Sequence, residues 1–414
     1  MGSYITLGIK KMEIDWGKNY NYTNHSRLFQ ERDFDKDIPY YYVDNDDNEI
    51  IEYKKGARKS LREIKERLEL LGYNLKNIKK KYYELRKEYQ YYNTSEKLNI
   101  TFDEYFLFIK SIDIDRIDNV ASALDSFENG YDLGEYFRRC LLEDEEFTLR
   151  INQIMEKFKA KNKYGDIGLF IENIDPYITL RILAENSQNL DCFVEWRYED
   201  IIENGWEKRE NIITKLDEKE KILIVTEGNT DSFVIKKTLE ELYPSISDFF
   251  EFIDMEKNYP FTGVGSLANF CLGLSKIHIQ NQIIALFDND TAGNELYDKV
   301  SEIKERPKNL ELCKLPKSKL FNRFDTIGPS GKKKTNINGK AVAIECFLDF
   351  SSVNISPIVR WQCYKDKIKQ YQGALENKDL YISKFKTANL KDGSYNCDKL
   401  KILIEYIVNS WVNR

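Results

Sequence analysis

Apolar residues change their spacing three times along this chain. Residues 1 to about 57 alternate short extended runs with turns, first "SYITLGIKKMEIDW" and then "YYYVDNDDNEIIEY". The second stretch predicts a hairpin, because Asp44 to Asn48 supply turn residues between two aromatic or branched runs. At Ser60 the period becomes helical. Ser60 and Glu63 make a capping box, and Leu61, Ile64, Leu68 and Leu71 follow at helical spacing up to Gly72. From there to about residue 215 the chain is rich in Glu, Lys and Leu and poor in proline. That composition predicts a helical domain, with "WEKRENIITKLDEKEK" as a charged connector.

Past Lys221 the period changes again. An apolar run, Ile222 to Val225, leads into a helix from about residue 231 with Val234, Ile235, Leu239 and Leu242 at helical spacing. A short strand in "FFEFIDM" comes next, then a helix capped by Ser266 that carries Leu267, Phe270, Cys271, Leu274 and Ile277 on one face. The run 282–287, a helix with Leu296, Val300 and Ile303, and a strand near 310–315 complete the series. Strands alternating with amphipathic helices predict an α/β fold, a parallel sheet covered on both faces. The last 60 residues, with "RWQCYKDKIKQYQGALENKDLYISKF" and "DKLKILIEYIVNSWV", read as helical. The expected order is a β-rich region at 1–58, a helical domain at 59–215, an α/β domain at 218–350 and a C-terminal helical extension at 351–414.

Composition narrows this only a little. A chain of 414 residues can bury two or three cores, and 42% apolar with 32% charged residues is a soluble globular balance. The net charge of −6 does not by itself point to nucleic acid, so any basic surface must be local. The 27 tyrosines, beside abundant Asn, Lys and Ile, read as the coding bias of an AT-rich genome and not as a stacking surface. Seven widely spaced cysteines without a CxxC pair read as reduced, mostly buried thiols of a cytosolic protein. The N-terminus lacks a signal-peptide stretch, and no segment approaches the ~20 apolar residues of a membrane helix. The expected compartment is the cytoplasm, with no membrane partner.

Candidate chemistry gathers where the apolar runs stop. Ile222–Val225 runs into Glu227, Gly228 and Asp231, and Ile283–Phe287 runs into Asp288, Asp290 and Gly293. In an open parallel sheet ligands sit at the carboxyl ends of the strands, so both acid groups belong to one edge. Asp288 and Asp290 leave the same face of an extended backbone about 6–7 Å apart. Carboxylates that close repel unless a cation sits between them, and hard oxygen ligands at this spacing suit Mg²⁺. The two glycines allow sharp turns and the close approach of a phosphate. The plainer alternative is a pair of solvated strand ends with incidental acids, which two ordered motifs on alternating strands disfavour.

"EGNTD" after the first strand and "DNDTAG" after the later one are similar to the two signature motifs of the Toprim domain, shared by topoisomerases, bacterial primases and many nucleases. "TGVGS" lies where that family carries a glycine turn. The first 200 residues, through "MGSYITLGI", "DWGKN", "LFQERD" and "ERLELLGYNL", resemble the HEPN/Toprim N-terminal domain, which accompanies Toprim in bacterial proteins linked to phage defence. The resemblance implies a Toprim-like sheet behind a HEPN-like regulatory or oligomerisation domain. It implies that Asp288 and Asp290 bind Mg²⁺, with Mn²⁺ as a substitute, and that Glu227 binds metal or serves as general acid/base. Asp231 either supports the site or is a helix N-terminal acid favoured by the dipole. Lys340 and Glu345 in "NGKAVAIECFLDF" follow the second motif. Glu345 is either the additional acid of a two-metal site or an ordinary helix glutamate.

Residues 306–340 hold ten Lys or Arg against Glu311 and Asp325, a net of +8, so the remaining chain carries −14. Lys332, Lys333 and Lys334 in a glycine-bearing loop are candidate phosphate contacts beside the acids, or simply a solvated loop. Neither His25 nor His278 has an arginine in the ten residues before it, so the Arg–His motif of HEPN ribonucleases is absent. No Walker A loop is present. The expected activity is a metal-dependent endonuclease acting on DNA ahead of RNA, a phage-defence effector that works as a homo-oligomer or with another defence protein. Alternatives are a ribonuclease cutting tRNA or another structured RNA, and a non-catalytic nucleic-acid-binding module. A topoisomerase needs gate domains and a primase a zinc-binding region, so both are less favoured.

Overall fold

The computed structural model describes residues 2–43, 49–92, 100–116, 149, 173–253, 263–277, 279–303, 306–366 and 368–414. The chain divides into two compact units, Met1–Leu216 and Asp217–Arg414.

In the first unit, β1 (Tyr4–Ile9), β2 (Met12–Lys18), β3 (Lys36–Val43), β4 (Glu49–Ser60) and β5 (Phe193–Arg197) form one sheet in the order β2-β1-β5-β4-β3. Every neighbouring pair is antiparallel. The β3–β4 hairpin matches the sequence reading, although its turn residues 44–48 lie outside the described residues. Ser60 caps α1 (Leu61–Leu70): its hydroxyl accepts from the Glu63 N–H and donates to the Glu63 carboxylate. Leu61, Ile64 and Leu68 are buried there, and Gly72 leaves the helix at φ +82°. Helices α2 (Leu75–Tyr92), α3 (Phe102–Lys110) and α4 (Pro176–Leu183) follow. Residues 117–148 and 150–172 of the expected helical domain, Cys140 among them, lie outside the described residues.

Strand β5 falls in sequence that reads as helical. Its alternation is hidden because Glu195 and Arg197 are buried along with Val194 and Trp196. They pair with each other at 2.6 Å, and Arg58 on β4 pairs with Glu195 as well. Because β5 sits between β1 and β4, a boundary at 58/59 would cut through the sheet. Residues 1–58 and the helices after them share one core, in which Trp196 stacks on Phe29 at an interplanar angle of 6°.

The second unit is built on a parallel sheet of β6 (Ile222–Val225), β7 (Phe250–Phe252), β8 (Gln282–Phe287) and β10 (Leu310–Lys314), in the order β10-β8-β6-β7. The two-residue β9 (Asn289–Asp290) follows β8 directly. Helices α5 (Asn229–Leu242), α6 (Val264–Leu274) and α7 (Thr291–Ser301) flank the sheet, and their Val234, Ile235, Leu239, Leu267, Cys271 and Val300 are buried. The N-cap of α6 is Gly263, not Ser266: glycine supplies φ +80°, so the helix starts before the serine.

Downstream come β11 (Phe324–Gly328), β12 (Gly331–Thr335), β13 (Ala341–Val342), β14 (Val359–Lys365), β15 (Gln370–Leu375), α8 (Lys378–Thr387) and α9 (Asp398–Val412). β12, β11, β14 and β15 form a second sheet in that order, and β13 pairs with β9. Two expectations are corrected here. Residues 359–375 are a hairpin, not a helix, and Lys332–Lys334 lie on edge strand β12, not in a loop. Exposed lysines on an edge strand discourage pairing with other chains, which accounts for that run structurally. Residues 351–414 also belong to the same compact unit as the parallel sheet. Among the described cysteines only Cys363 is exposed, and none is in a disulfide. No described helix is long and apolar enough to cross a membrane.

Candidate active site

The strand order of the parallel sheet decides where a site can form. From β6 the chain moves to β7 on one side, then crosses to β8 on the other, so the order reverses between β6 and β8. That reversal opens a crevice at the carboxyl ends of these two strands. Glu227 lies two residues beyond β6 and Asp288 one residue beyond β8. The structure joins them directly: the Asp288 N–H donates to Glu227 Oε1 at 2.9 Å. Gly263, leading α6, donates its N–H to the Glu227 carbonyl at 2.9 Å, so the "TGVGS" turn also meets the first motif. Thr262 of that turn lies outside the described residues.

The second motif is fixed from three directions. Asp290 caps α7, its Oδ1 accepting from the Gly293 N–H at 2.7 Å. A Cβ on Gly293 would come within 2.3 Å of the Asp288 carbonyl oxygen, so only glycine lets the helix lie this close to the strand end. Gly228 differs: at φ −155° its backbone is extended, and a Cβ there would meet only ordinary contacts. The third constraint comes from β15. The Gln372 side-chain oxygen accepts from the Ala292 N–H at 3.0 Å, which turns its amide nitrogen to donate to Asp290 Oδ2. Thr291 donates its hydroxyl to the Tyr371 carbonyl at 2.8 Å, and Gly373 donates to the Lys340 carbonyl. Lys340 thereby enters the site through its backbone, bridged to Asp290.

Asp231 in the first turn of α5 accepts from the Gly228 N–H at 3.1 Å. Glu345, 6% exposed on the 3-10 turn Ile344–Phe347, pairs with Lys378 at 3.3 Å. Five carboxylates thus share one electrostatic neighbourhood. Burial pushes Glu227 up to about 8, helped by the charges of Asp290 and Asp231 and opposed by the Asp288 N–H. Burial and then the charge of Glu345 push Asp231 up to about 7. Asp288 is raised well above the usual carboxylate range by burial and by Asp231, Glu227, Asp290 and Glu345. Lys378 is raised in turn, chiefly by Glu345.

Among the described residues no three His, Cys, Asp or Glu are gathered into a group that could hold a metal ion as they stand. The chemistry of the acids nevertheless fits a hard divalent cation, whose charge would offset the mutual repulsion that raises Asp288. Glu227, Asp288, Asp290 and Glu345 would hold it, Asp290 through oxygens that already accept from Gly293 and Gln372. Lys332, Lys333 and Lys334 are exposed on β12, and Lys334 pairs with Asp325 at 3.1 Å.

Gln372 and Lys378 are site residues that sequence reasoning missed, for no local pattern links them to motifs so far away in the chain. In the first unit His25 is 2% exposed, its ring nitrogens 2.8 Å from Asp15 Oδ2 and 3.2 Å from the Tyr177 hydroxyl. It is a satisfied core histidine. His278 lies outside the described residues.

No match is found among curated proteins or among solved structures. Residues 1–220 match the family described as HEPN/Toprim N-terminal domain 1. That match spans the whole first unit and more than half of the chain, and so the protein belongs to the HEPN/Toprim N-terminal domain 1 family.

Proposed function

We propose that the second unit is a Mg²⁺-dependent Toprim-type endonuclease that hydrolyses nucleic-acid phosphodiester bonds, with the first unit serving regulation or assembly in phage defence. The observation that carries this reading is the Glu227–Asp288 hydrogen bond, which brings both acidic motifs to the switch point of the sheet. A bound Mg²⁺ would supply Lewis-acid stabilisation of charge developing on the phosphate oxygens. The chain's own groups do the rest. Glu227 either holds the metal or serves as the general acid, handing a proton to the leaving oxygen as water adds to phosphorus, the P–O ester bond breaks and the proton displaced from the water passes to solvent. Asp290, gripped at both oxygens, keeps one orientation through turnover. Family membership of the first unit supports a nuclease-associated role.

Purified protein incubated with Mg²⁺ or Mn²⁺ is expected to cut plasmid or linear DNA, and EDTA to stop it. Cutting confined to tRNA would move the activity to the ribonuclease alternative. No cutting of any substrate, with binding retained, would leave a binding module.

The lysines of β12 give a second, quantitative test. Each phosphate contact adds about 0.9 to the slope of log affinity against log salt on duplex DNA. Replacing Lys332, Lys333 and Lys334 together with Ala should flatten that slope by roughly 2.7 while cleavage-site preference persists. An unchanged slope returns these residues to guarding a sheet edge.

A further inference from the structure

Hairpin β14–β15 carries three aromatic side chains that neither the fold nor the acidic site uses. Tyr364 lies opposite Tyr371, with ring centroids 4.9 Å apart, and Trp361 lies 6.1 Å from Tyr371. In a regular strand Trp361 and Tyr364 would leave opposite faces, being three residues apart. The bulge between Trp361 and Cys363 restores them to one side. Tyr364 is 46% and Tyr371 41% exposed. Trp361 is seated over glycines: a Cβ on Gly328 or Gly373 would reach its ring atoms at 2.8 and 2.9 Å. The cluster is a ledge with a fixed indole behind and two phenol rings in front.

Its position is specific. Tyr371 is the residue whose carbonyl receives the Thr291 hydroxyl, and the next residue, Gln372, grips Asp290. Successive residues of a strand point to opposite faces, so the rings lie across β15 from the Gln372 amide that orients a candidate metal ligand. The edge strand β12 of the same sheet carries three exposed lysines, of which Lys333 shares the ledge's face while Lys332 and Lys334 leave the other. Aromatic faces with cations nearby match the chemistry of unpaired nucleotides, which offer a π-face and a phosphate together, whereas a duplex keeps its base faces inside the stack.

We propose that Trp361, Tyr364 and Tyr371 form a base-stacking ledge across β15 from Gln372, over which the strand to be cut passes, so that the substrate is single-stranded or locally unpaired nucleic acid. This rests on the nuclease reading of the acidic site. The test is fluorescence anisotropy on the full chain in EDTA, with labelled oligo-dT, oligo-U and a duplex of equal length. Wild type should bind a single strand, deoxy or ribo, more tightly than the duplex. Tyr364→Ala and Tyr371→Ala should each lose ~5- to 150-fold of that affinity, Tyr371→Phe should keep it, and duplex binding should not move. Both tyrosines are half-exposed, so these variants are expected to fold, and circular dichroism checks it. Duplex binding as tight as single-strand binding, or Ala variants that bind single strands like wild type, overturns the proposal. So does a change of sedimentation mass in the Ala variants without a change in binding, which would give the rings to a second copy of the chain. Binding is read without metal, so the two readings fail separately. Intact ledge binding with no cleavage under any metal sinks the nuclease alone, and unaltered cleavage of single strands by the Ala variants sinks the ledge alone.

Discussion

Asp288→Asn, Asp290→Asn and Glu227→Gln each abolish cleavage in a protein that remains folded: this is the largest effect expected here. General acid/base participation contributes ~10²–10⁴-fold, and loss of a metal ligand costs at least as much. Asp288→Asn and Glu227→Gln should leave stability unchanged or raise it, because Asp288 and Glu227 are held against burial and the charge of neighbouring acids. Asp290→Asn instead gives up one of the two hydrogen bonds its oxygens accept. A neutral amide keeps the shape and removes one member of the repelling set. Cleavage rates at saturating Mg²⁺ and thermal melts of the same preparations check both halves. A loss below tenfold for Glu227→Gln would make that residue structural, and wild-type cleavage by either aspartate variant would end the metal assignment.

The second large effect is a fall in the melting temperature of the second unit as metal-free buffer is taken from pH 5 to pH 9. The folded-state affinities of Glu227, Asp231 and Asp288 for protons are all raised, so these three acids hold more protons in the native protein than in the unfolded chain. Lys399, lowered by burial to about 8, opposes them only near the top of the window. Stability is therefore greatest while these acids are protonated and is lost as pH rises from the ordinary carboxylate range through about 7 for Asp231 and about 8 for Glu227. Asp288→Asn should flatten the fall. Mg²⁺ at pH 8 should reverse it, since a ligand at a hundred times its Kd adds about 2.7 kcal/mol, or roughly 5–10 °C in a unit of this size. Differential scanning fluorimetry across pH, with and without Mg²⁺, reads all three. A melting temperature level between pH 5 and pH 9 would contradict a cluster of buried, repelling acids.

Much of this site is legible along the chain. The runs at 222–225 and 282–287 coincide with β6 and β8, and their abrupt end in carboxylates marks the edge where ligands gather. A buried parallel strand has to be apolar on both faces, so acids directly beyond it stand out. The hairpin at 359–375 is another matter. Trp361, Tyr364, Ile368 and Tyr371 follow one another at spacings of three, four and three, which is a helical period. A bulge and a turn produce the same spacing in extended chain, and periodicity does not separate the two. Strand β5 misleads for the opposite reason, since Glu195 and Arg197 are charged and yet buried together. The break between the units falls at 216/217, where the expected domains end at 215 and begin at 218. The unity of the first unit, by contrast, escapes a linear reading, because its sheet draws on residues at both of its ends.

The grip of β15 on Asp290 has a consequence for how this protein can be switched off. The acids all precede Phe350, yet the side chain that steadies one of them arrives 82 residues after it, on a strand near the C-terminus. A premature stop anywhere between Phe350 and Tyr371 would leave every acid in place and still remove Tyr371 and Gln372, the β15 partners of Thr291, Ala292 and Asp290. Damage to the tail is therefore damage to the centre. A chain stopped short of β15 would lose the orientation of Asp290 without any change in the acids themselves, and a fragment made to carry the second unit alone has to include β15.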